Sequence, residues 1–172
     1  MKRYIEYGLN YFFRDIPIHI INLIMTIFPA ATTANYIRGF LVRPFLGKCG
    51  KRFQLGKGVI INHPELLYLG DDCYISHNCY VQARGKVFFG NNVIIGPMSI
   101  IASSNHKIIN GIVTNIGENK PISIGSGTWC GGNVTITAGS CIGKSVLIGA
   151  GAVVTGEIKD YKKAFGVPAV EK

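Results

Sequence analysis

The sequence predicts an all-β solenoid, a parallel β-helix of triangular cross-section preceded by a helical extension. Two observations carry the solenoid. From Ile124 to Thr155 the chain keeps time every six residues, with Ile124, Cys130, Ile136, Ile142, Ile148 and Val154 at the first place of each block. The fifth place holds Thr128, Val134, Ser140, Val146 and Ala152, always small or β-branched. A fixed period of this kind marks a stacked repeat, and a hexapeptide period marks a parallel β-helix. A meander of hairpins would show irregular spacing instead.

A short strand cannot bury its apolar face alone. Three of them, joined by tight corners, close one coil of about 18 residues, and the coils stack. The first-place aliphatic points inward onto its equivalents above and below. The fifth place also points inward, where a bulky side chain would not fit. Glycine at the second place (Gly125, Gly131, Gly143 and Gly149) suits a corner, because glycine accepts dihedral angles that side chains resist.

Residues 1–50 differ in kind and read as an amphipathic helical extension. They hold Tyr4, Tyr7, Tyr11, Phe12, Phe13 and a run of isoleucines to Ile27. A helix is expected over 4–15 and a second over about 17–28, with Pro17 in a first turn and Pro29 at a stop. The 11 residues between those prolines are too few for a bilayer span, which needs about 20.

The chain of 172 residues has a formal charge of +9, concentrated at this end. Residues 1–52 carry Lys2, Arg3, Arg14, Arg38, Arg43, Lys48, Lys51 and Arg52 against Glu6 and Asp15, a net of +6. Aromatic and basic residues together suit a helix lying on an anionic membrane surface. A cap over the open end of the prism is the rival reading. A cleaved signal peptide is a third, opposed by Arg14 and Asp15 ahead of the apolar run. No nucleic-acid-binding motif occurs.

The repeat occupies 51–158. It starts with LGKGVI at 55–60, and further blocks begin at Leu69, Ile75 and Val81. After a two-residue slip they begin at Phe89, Ile95 and Ile101. The phase breaks over 107–121, which reads as a loop thrown out of the prism, and such loops are usually functional. Residues 159–172 form a basic tail. The five cysteines include no CxxC pair; Cys73 and Cys79 fall at inward places and read as small reduced core residues, which implies a reducing cytosol.

Of the four histidines, His19 lies in the apolar N-terminal run and reads as structural or interfacial, and His63 precedes Pro64 in a corner. His77 takes an outward place in its block. His106 stands at the lip of the ejected loop, where a rigid wall holds a side chain within reach of a ligand.

From FGNNVIIGPMSIIASSNH through KPISIGSGTWCGGNVTITAGSCIGKSVLIGAGAVVT to GVPA, the sequence resembles the hexapeptide-repeat acyltransferases, in particular the sugar O-acetyltransferase group that includes maltose and galactoside acetyltransferases. The likeness covers roughly residues 55–170. It implies a left-handed β-helix, acetyl-CoA as co-substrate and a homotrimer with the coenzyme slot between neighbouring prisms. It also implies catalytic roles for His106 as base and Asn78 in holding the acceptor. Trp129 would lie against the coenzyme, the Gly132 amide would face the thioester oxygen, and Ala150 and Thr155 would line the coenzyme arm. A basic residue usually follows the family's G-x-P; here that position is Val170, so Lys163 or Lys172 is the substitute for phosphate contact.

The chemistry is coherent in its own right. A sugar hydroxyl needs its proton removed as it attacks, which imidazole can do, and a fixed N–H steadies the developing oxyanion. Gly131 and Gly132 let a ligand approach the main chain. A γ-class carbonic anhydrase of the same fold needs histidines five apart, but position 111 is Gly, so no metal is expected. The remaining alternatives are an N-acetyltransferase acting on an amino sugar or serine and a non-catalytic membrane-associated scaffold. The basic apolar arm shifts the expected acceptor toward a lipid-linked glycan or polysaccharide precursor, met at the inner face of the plasma membrane by a cytoplasmic protein.

Overall fold

The computed structural model describes residues 8–172. Its centre is a parallel left-handed β-helix of about six coils, whose strands fall into three sheets. The first face stacks strands from Lys48–Cys49 to Glu157–Ile158, and the second runs from Gln54–Leu55 to Lys163–Phe165. The third runs from Ile60–Asn62 to Val153–Val154. Val170–Glu171 closes the second sheet by pairing antiparallel with Lys163–Phe165.

All the predicted inward residues are buried: Ile124, Cys130, Ile136, Ile142, Ile148 and Val154 at the first place, Thr128 through Ala152 at the fifth. Burial pushes the Cys130 thiol up to about 12, so it sits there as a neutral small hydrophobe. Thr128 and Ser140 keep their hydroxyls satisfied against the carbonyls of Gly143 and Val154.

The strand registers are six residues apart within a coil wherever the chain passes from the first face to the second or from the second to the third. Every irregularity falls where the third face turns into the first. That step takes eight residues between Ile60 and Tyr68 and eight between Tyr80 and Phe88. It takes 23 between Ile100 and Ser123, six between Thr135 and Cys141, and four between Val153 and Glu157. One edge of the prism has therefore absorbed all the length variation, which marks it as the edge free to carry a site.

The segment expected as a loop at 107–121 is a β-hairpin, with Ser104–Ile109 paired antiparallel to Ile112–Asn119. Its turn is Asn110-Gly111, both at positive φ (50° and 77°), the conformation a two-residue hairpin turn requires.

The glycines at the second place have a different reason from the one expected. Their φ values are not positive; positive φ falls at the fourth place, at Gly127, Asn133, Gly139, Ser145 and Gly151. Second-place glycine is there for space. A Cβ on Gly125 would lie 2.5 Å from the carbonyl carbon of Gly143, and one on Gly131 would lie 2.7 Å from the nitrogen of Ala150.

At the N-terminal end, the chain is helical from Gly8 through a π-helical turn at Tyr11–Asp15 into helix α1, Ile16–Met25. The break expected before Pro17 is replaced by that π turn, which accommodates a residue lacking an N–H. The part of the first expected helix at residues 4–7 lies outside the described residues, as do Lys2 and Arg3. A further helix, α2 at Thr32–Val42, was not anticipated.

Ile18 of α1 and Val42 of α2 join the same core as Phe53 and Leu55 of the first coil, so the helices do cap the prism. Buried Arg38 ties them together, donating from Nη1 to Asn35 Oδ1 (2.8 Å) and from Nη2 to the Met25 carbonyl (3.1 Å). The outer surface of this end is apolar as well: Phe12 and Phe13 of the π turn, Leu23 of α1, Ile27 after it and Phe40 of α2 are each more than 60% exposed. No helix among the described residues is long and apolar enough to cross a membrane.

Candidate active site

His106 stands on the first strand of the hairpin, opposite Gly117. The side chain is exposed, and its Nδ1 lies 3.0 Å from the Thr114 carbonyl oxygen. A carbonyl only accepts, so Nδ1 carries a proton toward it, and Nε2 is the nitrogen left to act as a base.

His77 is different. It is half-buried, Nδ1 accepts the Lys57 N–H (2.9 Å), and Nε2 faces the Tyr74 hydroxyl at 3.4 Å. Both nitrogens are occupied in holding a corner. His63 is also in a corner, with Nδ1 3.4 Å from Glu65 Oε1. No group of three or more His, Cys, Asp or Glu among the described residues is arranged to hold a metal ion.

The corner between the second and third faces holds a different kind of feature. At the first–second corner, the third-place amides of Lys51, Asp71, Asn91 and Lys144 are each capped by a side chain one coil on, while that of Ser126, under Lys144, is not. Asp71 Oδ1 accepts from Lys51 N–H at 2.7 Å, Asn91 Oδ1 from Asp71 N–H at 2.9 Å and Ser126 Oγ from Asn91 N–H at 3.0 Å. At the second–third corner the ladder begins the same way, with His77 capping Lys57, and then stops. The successive capping positions are Pro97, Gly132, Ala150 and Gly166, none of which has an acceptor side chain.

The N–H groups of Gly132 and Ala150 consequently have no acceptor among the described residues. Each is a fixed donor one coil from the other, with no side chain over it. Such preorganised donors are what a developing oxyanion or an amide-bearing ligand would use. Trp129 begins the second-face strand of the same coil, half exposed between Ile94 and Leu147.

The structure brings some of the sequence-predicted residues together and separates others. Trp129, Gly131, Gly132 and Ala150 gather at the second–third corner in adjacent coils. Asn78 is on that corner too, two coils earlier, exposed and at φ 57°. His106 and Thr155 lie across the third face, on the third–first edge. Lys163 is on the second face in the last coil, where its carbonyl accepts the Lys172 N–H (2.7 Å), and the Lys172 ammonium lies 5.9 Å from the Phe165 ring centroid. Asn78 and His106 thus do not meet within one chain.

Two features escaped the sequence reading. Thr114, which orients His106, lies in the stretch taken as an irregular loop; the Asn-Gly pair was the signal for a hairpin that would have faced it across His106. Arg84 lies in the extra residues of the earlier coil. A methyl group at Gly117 would be 3.8 Å from its Nη1, so the guanidinium lies directly beneath the hairpin.

Between α1 and the third face runs a groove of about 820 Å³, lined in part by Asp15, His19, Asn22, Tyr80 and Gln82. Two oxygens of its residues, Asn22 Oδ1 and Gln82 Oε1, are buried without a hydrogen-bond partner.

No family model matches the chain. The galactoside O-acetyltransferase of Escherichia coli is 29% identical over 133 residues, which cover 76% of this chain and 65% of that protein. The chain spans less than two thirds of the length of the first curated relatives it matches. Among solved structures, a maltose O-acetyltransferase from Clostridium difficile superposes with a TM-score of 0.78 at 25% identity, covering 92% of this chain and 84% of that one. A hexapeptide-repeat acetyltransferase of Vibrio cholerae, solved with acetyl coenzyme A, has the same fold (TM-score 0.76, 22% identity, 91% of this chain and 84% of that one). The six-residue period, the coil stack and these relatives agree: the chain belongs to the hexapeptide-repeat, left-handed β-helix acyltransferase family.

Proposed function

We propose that the protein is an acetyl-CoA-dependent O-acetyltransferase acting on a sugar hydroxyl of a glycan or polysaccharide precursor. The observation that carries this is the exposed imidazole of His106, held through Nδ1 by the Thr114 carbonyl so that Nε2 is left to act as the base, in a family whose members transfer acetyl groups. Nε2 takes the hydroxyl proton as the sugar oxygen bonds to the thioester carbonyl carbon. The carbonyl oxygen becomes an oxyanion held by the Gly132 N–H. The intermediate then expels the coenzyme sulfur, which leaves with the proton from Nε2. General-base assistance contributes about 10²–10⁴-fold to such a step.

Acetyl-CoA is the co-substrate. Trp129 and the Ala150 amide bind its pantetheine arm, Gly131 gives it room, Thr155 flanks it, and Lys163 meets its phosphates in place of the residue absent at Val170. Asn78 holds the acceptor.

The working form is a homotrimer. His106 and the bare amides sit on opposite edges of the third face, so a complete site needs one edge from each of two neighbouring chains. The hairpin supports this, since Ile108, Ile112 and Val113 are each at least 67% exposed and need a cover. The outer surface of α1 and α2 seats the protein peripherally on an anionic membrane at its cytoplasmic side, where lipid-linked glycans are built.

The test is incubation with acetyl-CoA and a panel of sugars, nucleotide sugars and lipid-linked oligosaccharides, read by mass spectrometry and by release of free thiol. A gain of one acetyl group on a hydroxyl is expected. Acetylation confined to amines would support an N-acetyltransferase, and no acetylation of any acceptor would leave a scaffold.

A further inference from the structure

The third–first edge beside His106 is strongly basic. Arg84 and Lys86 occupy the extra residues of the second coil; in the next, Lys107 lies on the first strand of the hairpin and Lys120 follows its second. These layers are stacked directly: Gly85 N–H donates to Ser103 Oγ (2.8 Å), Lys120 N–H to the Ser103 carbonyl (3.0 Å) and Ile122 N–H to the Lys86 carbonyl (3.1 Å). Against four cations stands one carboxylate, Glu118, and Lys120 already lies 3.6 Å from it. Arg84 has no hydrogen bond or ion pair among the described residues, yet its Nη1 reaches to within 3.8 Å of where a Gly117 Cβ would be. Gly117 is the residue paired with His106. A Cβ at 117 would also meet Ser104 Oγ at 3.0 Å and Asn119 Oδ1 at 3.3 Å, so the bare glycine lets these groups and the guanidinium close in beside the residue paired with His106.

A planar guanidinium with free donors matches the two oxygens of a carboxylate or phosphate. Around it, the lysines raise the local concentration of anions. A groove adjoins this edge, since Gln82, which helps line it, is two residues from Arg84.

Resting on the acetyltransfer reading above, we propose that the acceptor is an anionic sugar, whose carboxylate or phosphate is held by Arg84 while a hydroxyl of the same glycan reaches Nε2 of His106. Neutral glycosides lack the group this edge is built to meet.

The experiment compares methyl glucuronide, glucose 6-phosphate and methyl glucoside with the full-length protein and its R84Q and R84K variants. Binding is read by ligand-observed NMR and transfer by coenzyme A release, with thermal midpoints checking that the variants fold. The glucuronide or the phosphate is expected to exceed the glucoside at least tenfold in both binding and kcat/KM, and which of the two does so identifies the anion. That ratio should collapse toward one in R84Q, persist in part in R84K, and shrink as salt is raised. Equal preference for the neutral glucoside, no binding of either anion, or an unchanged ratio in R84Q overturns the proposal. Anion-selective binding without transfer to any acceptor would leave the Arg84 site standing and overturn the acetyltransfer reading.

Discussion

Across the hairpin, Nδ1 of His106 lies 3.0 Å from the main-chain oxygen of Thr114. This contact fixes both ring orientation and tautomer without a second ionisable group. Replacing His106 by Ala should therefore leave the fold intact, since the side chain is exposed, and lower transfer by about 10²–10⁴-fold. Turnover of the purified variant with saturating acetyl-CoA checks this. Near-normal turnover would remove His106 from the mechanism; His77, with both nitrogens engaged, could not replace it without breaking its corner.

Ala150 offers a sharper test of the oxyanion donor. At the first–second corner, Asp71 caps the Lys51 amide from the position that Ala150 holds relative to Gly132. Ala150→Asn should extend that ladder and occupy the Gly132 N–H. Thermal stability should hold or rise, while kcat falls by about 10²–10³-fold, the loss expected when one such donor is removed. A variant with unchanged kcat would show that the Gly132 amide does not act on the thioester.

Much of this was legible from sequence, for an identifiable reason. In a solenoid each coil contacts only its neighbours, so a period of six specifies both strand and partner. The inward assignments of Leu69, Ile75, Phe89 and Ile95 follow from phase alone and are buried as expected. Glycine at the second place was located correctly but explained by dihedral freedom, when the cause is the next coil's backbone, which a one-dimensional reading does not contain. The hairpin was hidden because 107–121 lacks the period, and its Asn-Gly turn was outweighed by the surrounding polar residues. The separation of Asn78 from His106 needs the prism itself: only when the third face has width do the two fall on opposite edges.

The reinterpreted glycines carry their own prediction. Gly125→Ala would place a Cβ 2.5 Å from the Gly143 carbonyl carbon, in backbone that cannot move without shifting the stack. A loss of about 1–3 kcal/mol is expected from such overpacking. Gly156, where an added Cβ meets nothing within 4 Å, should accept Ala with little loss. Denaturant midpoints of the two variants, compared at equal m-value, decide the matter.

If the site is shared between chains, the assembled mass by light scattering should be three times the 18.7 kDa of one chain. A stronger test uses two inactive variants. Mixed trimers of His106→Ala and Ala150→Asn chains, formed by co-expression, place an intact His106 edge beside an intact Gly132 edge in about a quarter of sites under random assembly. Activity near that fraction of wild type is the expected result. No recovery would mean that both edges act within one chain or that the variants do not associate, and the measured mass separates these outcomes.

The apolar outer surface of α1 and α2 should bind anionic membrane. Removing residues 1–46 is not a clean test, because Ile18, Val42 and Leu46 belong to the same core as the first coil and their loss would expose Phe53 and Leu55. Substitution of the outward residues avoids this. Phe12, Phe13, Leu23, Ile27 and Phe40 are exposed, so changing them to Ser leaves the cap packed while removing the lipid-facing side chains. Arg14, Arg43, Lys48, Lys51 and Arg52 lie in the same end of the chain and add attraction of about 1 kcal/mol per basic residue near an anionic surface. That part is screened by salt; the apolar part is not. In vesicle co-sedimentation, the wild type should pellet with anionic vesicles and weaken in high salt without full release. The five-serine variant should lose the salt-resistant fraction while keeping its thermal midpoint. Equal pelleting of both would show that these residues do not contact lipid, and failure of the wild type to pellet would leave the helices as a cap alone.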